Sequence, residues 1–358
     1  MKIHPWMLVY ILQRILKPAP KQPKHIFLCV CDHFEPLWRH ATDAVGLERV
    51  RRWIDKYPKA VAGIKDAEGC GPKHTFFYPI EEYRPQIMKE LAAFCKSGFG
   101  EVEVHLHHDN DTSENLRKTL TDYKSMLFEK HGLLCKDKQN DQIKYGFIHG
   151  NWALDNSRPD GRMCGVNDEL RILEETGCYT DFTMPSAPDV TQTAKINSIY
   201  YAIDDPKEPK SHNKGIDAQR GVSDNKGLLI VQGPLVLNFS LRKWGILPRI
   251  ENGDLSHTTR VSAARLRQWI KADIGIKNLP GYVFIKLYTH GCQEQNAGYL
   301  LESGLKELFS LVKESARQTG VSAHFFTARE MVNVIKALES GQQQANFLQA
   351  RDYHYLKY

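Results

Sequence analysis

The chain lacks the marks of several function classes. No Lys/Arg run interleaved with aromatic residues stands out, which argues against a nucleic-acid binder. No glycine-rich phosphate loop is present, which lowers the case for a kinase or a dinucleotide enzyme. Its eight cysteines include no CxxC pair, so neither a zinc ribbon nor a disulfide framework is written in their spacing. Several fall inside apolar strand or helix patterns, as Cys29 and Cys95 do. They read as free thiols in a reducing compartment, and the expected location is the cytoplasm. The apolar stretch Pro5 to Leu12 is too short to span a bilayer, and no small-residue cleavage site follows it.

What is present is ordinary in bulk. The 358 residues carry a formal net charge of +6 and 25% charged residues, the profile of a globular chain with a large core. Residues 1–24 read as a helix, with Leu8, Val9, Leu12, Ile15 and Leu16 on one side, and the proline-broken connector Lys17 to Lys24. Packing of that helix on the main domain is expected, with weak membrane-surface contact as the alternative. Residues 25–339 form the main domain, with an excursion near 189–226 where the pattern weakens. Residues 340–358, with Gln342, Gln343 and Gln344, read as a poorly specified tail.

Within the main domain, short apolar runs alternate with helical patterns. His25 to Val30, His74 to Tyr78, the stretch from Glu101 with His108 and Asp109 at its end, Tyr145 to His149, Tyr179 to Thr183, Gly227 to Phe239, Tyr282 to Leu287 and Ser322 to Phe326 read as strands. Such runs suit strands buried on both faces of a parallel sheet. The order predicts an α/β fold: a distorted (β/α) barrel of about seven parallel strands with outer helices. Pattern alone leaves closure of the barrel open.

Polar groups cluster where these strands end. The stretch Glu101-Val-Glu-Val-His105-Leu-His107-His108-Asp109-Asn-Asp111 ends an alternating run in imidazoles and carboxylates. Asp32-His33, His149-Gly150-Asn151-Trp152 and Thr289-His290 close three other strands. In parallel α/β folds the carboxyl ends of strands open on one side, and sites gather there. Imidazole and carboxylate suit a divalent metal, zinc above all. The chemistry expected is metal-assisted hydrolysis, in which a carboxylate takes a proton from water and an imidazole protonates the leaving group. The blander alternatives are Asp32 as a cap or ion-pair partner, His33 outside the ligand set, His290 as a turn histidine and His149 as a structural strand-end group.

The motifs Asp32-His33-Phe34-Glu35-Pro36, Glu101 to Asp109 and Leu287-Tyr288-Thr289-His290-Gly291 resemble the ordered motifs of NodB-type polysaccharide deacetylases, carbohydrate esterase family 4. More faintly the chain resembles deacetylases of bacterial O-antigen gene clusters. The resemblance implies a metal-dependent hydrolase that removes an acetyl group from an amino sugar or polysaccharide precursor in surface-polysaccharide synthesis. Carried over, it implies Asp32 as catalytic base, His290 as general acid, and His33, His105 and Asp109 as metal ligands, with His107 or His108 in place of Asp109. Asn151 and Trp152 would stand where the family has another motif, and His149, Asn151 and Trp152 become candidates for the substrate wall. Glu35 is a lesser acid/base candidate. Two alternatives belong to other classes: a glycosyltransferase holding its metal on Asp109-Asn110-Asp111, and an inactive carbohydrate-binding homologue.

Overall fold

A computed structural model describes residues 4–16, 22–223, 225–341 and 347–357. The strands are β1 (His25–His33), β2 (His74–Pro79), β3 (Gly100–Leu106), β4 (Cys135–Asp137), β5 (Ile143–His149), β6 (Cys178–Asp181), β7 (Ile199–Ala202), β8 (Ile216–Asp217), β9 (Leu228–Val231), β10 (Val236–Lys243), β11 (Leu247–Glu251), β12 (Tyr282–Thr289), β13 (Ser322–Phe326) and β14 (Tyr355–Lys357). The helices are α1 (Pro5–Leu16), α2 (Asp43–Ala60), α3 (Pro85–Phe94), α4 (Ser113–His131), α5 (Glu169–Thr176), α6 (Ala263–Lys271), α7 (Glu294–Tyr299), α8 (Leu305–Thr319) and α9 (Ala328–Glu339).

The sheet runs β12-β1-β2-β3-β5-β6-β9-β7-β8, with β13 also on β1. Its central pairings are parallel, and β7 joins β9 antiparallel. The expected mixed α/β fold with a mostly parallel sheet is therefore present. Closure into a barrel is not: among the described residues no ladder joins β12 to the β9 side, because β9 continues into antiparallel β7 and β8. The excursion after residue 189 supplies those added strands. The run from Gly227 to Phe239, expected as one strand, divides at Gln232–Leu235 into β9 and the first arm of the β10–β11 hairpin.

Alternation along β1 divides the core into two layers. Ile26, Leu28 and Val30 pack with α2 to α8, while Phe27, Cys29 and Cys31 pack with α1, α9 and the C-terminal segment. The same parity governs β3 and β12, where Val102, Val104, Leu106, Val283, Ile285 and Leu287 join the first layer. Helix caps are local. Thr112 accepts the Asn115 amide at the start of α4, and Gly132 ends that helix at φ 59°.

Two terminal expectations are corrected. In α1, Trp6 and Tyr10 are buried, while Ile15 and Leu16 are 72% and 75% exposed and Leu8 and Leu12 face solvent with them. The face expected to pack is the free one, because two aromatic rings fill the core contact instead. Residues 347–357, expected to trail, are fixed by β14 pairing with β4 and by Arg351, which bonds Asp66 at 2.5 Å and Glu330 at 3.1 Å. The connector residues 17–21 and Gln342 to Gln344 lie outside the described residues.

Below the strand ends, Arg329 bonds both oxygens of buried Glu101, at 3.0 and 2.8 Å, and also the Arg351 and Tyr355 carbonyls. Removing one partner strands a buried charge. Arg329→Ala is expected to cost about 3–5 kcal/mol in urea unfolding, far more than an exposed arginine. On β6, burial pushes the Asp181 carboxyl from 3.8 up to about 7. A raised folded pKa gives stability that is complete below pH 3.8 and is lost as pH rises through 7. In Asp181→Asn that decline across the window should vanish, read as a flatter dependence of urea midpoint on pH.

Candidate active site

The parity of β1 decides which of its last two side chains reaches the mouth. His33 continues the Phe27-Cys29-Cys31 face and Asp32 the opposite one. His33 stands beside His105 and His290, with ring centroids 4.8 and 4.7 Å away, and His105 is 4.7 Å from His107. Glu35, two residues past the strand end, turns back among them. Its Oε1 lies 3.4 Å from His105 Nε2, 3.5 Å from His107 Nε2 and 4.0 Å from His290 Nδ1. Two ligand-competent triads share this glutamate, His33-Glu35-His290 and Glu35-His105-His107. His33, Glu35 and His105 are buried, whereas His107 and His290 reach solvent.

Hydrogen bonds orient the rings. His105 Nδ1 donates to the Ile148 carbonyl at 3.0 Å, and His107 Nδ1 meets the Glu81 carboxylate. Each Nε2 is thereby turned inward, the arrangement by which acceptors behind metal-binding histidines fix their tautomer. Burial holds His105 below its ordinary pKa, while the Glu35 carboxylate at its Nε2 pushes the other way. His105 Nε2 and Glu35 Oε1 stand 3.4 Å apart, a contact that either a proton or a cation between them makes attractive. His33 Nδ1 and His290 Nδ1 are buried without a hydrogen-bond partner. Burial, then the neighbouring His290 and His105, holds His33 well below its ordinary value. For Glu35, burial pushes upward, but the imidazoles of His105, His290 and His107 outweigh it and keep the carboxyl low. At His107 burial pushes downward, but the carboxylates of Glu81 and Glu35 outweigh it and raise the imidazole, so a metal ion there would displace a proton.

Other predicted residues lie elsewhere. Asp32 is fully buried on the helix side, where Oδ1 accepts the Gly291 amide at 2.6 Å and Oδ2 meets His74 Nε2 at 2.9 Å. It is a positioning residue for the His290 loop rather than a base in the mouth. Gly291 permits the approach, since a Cβ there would overlap Asp32 and Trp53. Asp109 is exposed and accepts the Met163 amide at 2.5 Å. Beyond the strand end the alternation that aims His105 and His107 has lapsed, so Asp109 joins no ligand group among the described residues. His149 faces the helix layer, in a separate group with His108, Cys164 and Glu169. Asn151 and Trp152 are half-buried in the turn after β5, next to His107: a Cβ on Gly150 would overlap the His107 ring.

Glu81, Cys164 and Glu169 escaped sequence reasoning. Glu81 sits two residues after the β2 strand end, a position that could have flagged it. Nothing local marks Cys164 or Glu169, which lie in or after an irregular loop.

No family model matches the chain, and no curated protein matches it. Among solved structures, a GH57 branching enzyme from the hyperthermophilic archaeon Thermococcus kodakaraensis, in complex with glucose, aligns over 85% of this chain and 70% of its own, at 11% identity and TM-score 0.38. A likeness that weak carries no argument about this chain. The expected membership of the NodB-type deacetylases is not upheld: no family model matches the chain. The physical reason lies in the carry-over, since Asp32 and Asp109 occupy places that the deacetylase motifs would not give them.

Asp32→Ala separates the two roles of that carboxylate. It should leave bound metal unchanged, lower stability by roughly 1–3 kcal/mol through the orphaned Gly291 amide, and reduce activity through His290. Loss of the metal from the folded variant would return Asp32 to the centre itself.

Proposed function

We propose that the chain is a divalent-metal-dependent hydrolase that releases acetate from an acetylated amino sugar. The observation that carries the metal is the inward aim of His105 and His107 Nε2 at Glu35 Oε1, with each Nδ1 held from behind. In this reading His105 and His107 hold the ion beside Glu35, and zinc suits imidazole ligands. When bound, the cation supplies Lewis acidity and lowers the pKa of water.

The chain's own groups divide the remaining work. Glu35, kept ionised among imidazoles, takes the proton from the attacking water. His290, half-open to solvent with an unpartnered Nδ1, gives a proton to the leaving amine. Its backbone is tied to Asp32 through the next residue, Gly291, so the donor is held in place. Asn151 and Trp152, in the turn whose Gly150 abuts the His107 ring, offer a polar group and an apolar face to a sugar. A cytoplasmic enzyme of surface-polysaccharide synthesis would meet such a substrate as a precursor. No described helix is long and apolar enough to cross a membrane.

The glycosyltransferase alternative gains nothing from the geometry. Asp109 is engaged by Met163, and Asp111 by His108, Thr112 and Asn115. The inactive-homologue alternative is separated by experiment. Wild type, His105→Ala and Glu35→Gln are assayed for bound zinc and for acetate released from N-acetylated sugars. The expected pattern is metal lost in His105→Ala, metal retained in Glu35→Gln, and acetate release reduced about 100-fold or more in both, as for loss of a general base. Equal metal in wild type and His105→Ala would end the proposed centre. Metal without acetate release in wild type would leave a binding protein.

A further inference from the structure

We infer that the chain holds a second, closed divalent-cation site, built from His108, His149, Cys164 and Glu169. Their ligand atoms all lie within 4.8 Å of one another. The group sits on the helix side of the sheet, apart from the Glu35 cluster, and ties α5 and the irregular loop before it to the ends of β3 and β5. His149, Cys164 and Glu169 are fully buried. His108 Nδ1 meets Asp111 Oδ2 at 2.9 Å, so its Nε2 is aimed inward, 3.2 Å from Glu169 Oε1. This is again a carboxylate placed behind an imidazole. The Cys164 thiol donates to Glu169 Oε2 at 3.3 Å and receives the Asn156 amide at 3.3 Å, so its sulfur already faces the group.

An ion-paired network alone explains His108, Asp111 and Glu169 but not His149. Its Nε2 is fully buried, points into the group and has no hydrogen-bond partner, with Glu169 Oε1 4.0 Å away. A cation with one sulfur, two nitrogen and one carboxylate ligand satisfies that atom. Four protein ligands and no opening describe a structural rather than a catalytic zinc site. The protons balance: binding releases one from the Cys164 thiol and one from His108 Nε2. His149 moves its proton from Nε2 to Nδ1 and gives up the 3.2 Å contact from the Asn151 amide.

Sulfur distinguishes this site from the Glu35 cluster, which has none. The full chain is loaded with cobalt(II), and the near-ultraviolet thiolate-to-cobalt charge-transfer band is recorded beside metal content. The expected result is two ions per chain with the band in wild type, one ion without the band in Cys164→Ser, and one ion with the band in His105→Ala. No band in wild type, or a band that survives Cys164→Ser, overturns the inference. Should Cys164→Ser fail to fold, His149→Gln serves: the band must shift or weaken, and an unchanged band overturns the ligand set. Loss of the ion from His105→Ala alone bears only on the Glu35 cluster.

A different observation carries a second inference: the geometry points to an anionic lipid surface as the occupant of the free face of α1 and the β10–β11 hairpin. Trp244 and Ile246 at the hairpin tip are each 77% exposed. Ile11 and Ile15 of α1 line one groove with Phe239 of the hairpin, flanked by Arg14 and Lys271 and by no carboxylate. Arg242 and Arg249 are exposed on the hairpin. Exposed apolar side chains on elements that also carry these cations match the boundary between acyl chains and acidic headgroups. Co-sedimentation with phosphatidylcholine vesicles, with and without phosphatidylserine, tests it on the full chain. Binding is expected only with phosphatidylserine, weakened by salt, and reduced more than about tenfold in Ile15→Glu/Ile246→Glu. Equal binding by the variant overturns the inference. So does absence of binding, or a dimer in gel filtration that the variant dissociates, which would assign the face to a second copy of the chain.

Discussion

Everything in the site follows from one imidazole nitrogen set against one carboxylate oxygen, a contact that a proton or a cation must bridge. His105 spends its N–H on the Ile148 carbonyl, and its other nitrogen is turned toward the Glu35 carboxylate. Buried polar groups in folded proteins are paired, and here a proton or a metal ion supplies the pairing. His107, fixed by Glu81, repeats the geometry from the other side. The strands serve to hold these rings still. β3 aims His105, the β5 carbonyl orients it, and the turn at Gly150 leaves room for His107.

The two-residue period of the strand then sorts the polar groups between the two faces of one sheet. On β1, His33 goes to the mouth and Asp32 to the helix layer. On β5, the Ile148 carbonyl serves one face while the His149 ring serves the other. The sheet therefore carries a half-open group of imidazoles on one side and a buried group with sulfur on the other. The first has room for water and a substrate. The second has none, and its closure fits a role in fixing the loop that precedes α5.

The sequence made the parallel sheet legible, because buried parallel strands read as unbroken apolar runs and their polar ends stand out against them. His33, His105, His107 and His290 were legible for the same reason, being strand-end imidazoles. Closure was not legible, since nothing in a run of apolar residues tells whether the last strands pair antiparallel, as β7 does with β9. Asp32 was misassigned as base because a motif transfers residue order but not side-chain direction. Glu35 was underweighted because it lies past the strand end, where periodicity stops. Cys164 and Glu169 meet His108 and His149 only through a loop with positive φ at Trp152, Asp155, Asn156 and Met163, which no period predicts. The free face of α1 was read the wrong way round, because its aliphatic stripe outnumbers the two aromatic residues that do the packing.

The most direct test of the central claim is a crystal of the zinc-soaked protein, measured with anomalous scattering on both sides of the zinc absorption edge. The account predicts a peak between Glu35 and the inward nitrogens of His105 and His107, within about 2.0–2.2 Å of the ligating atoms. A map without density there, from crystals that take up zinc elsewhere, would contradict it.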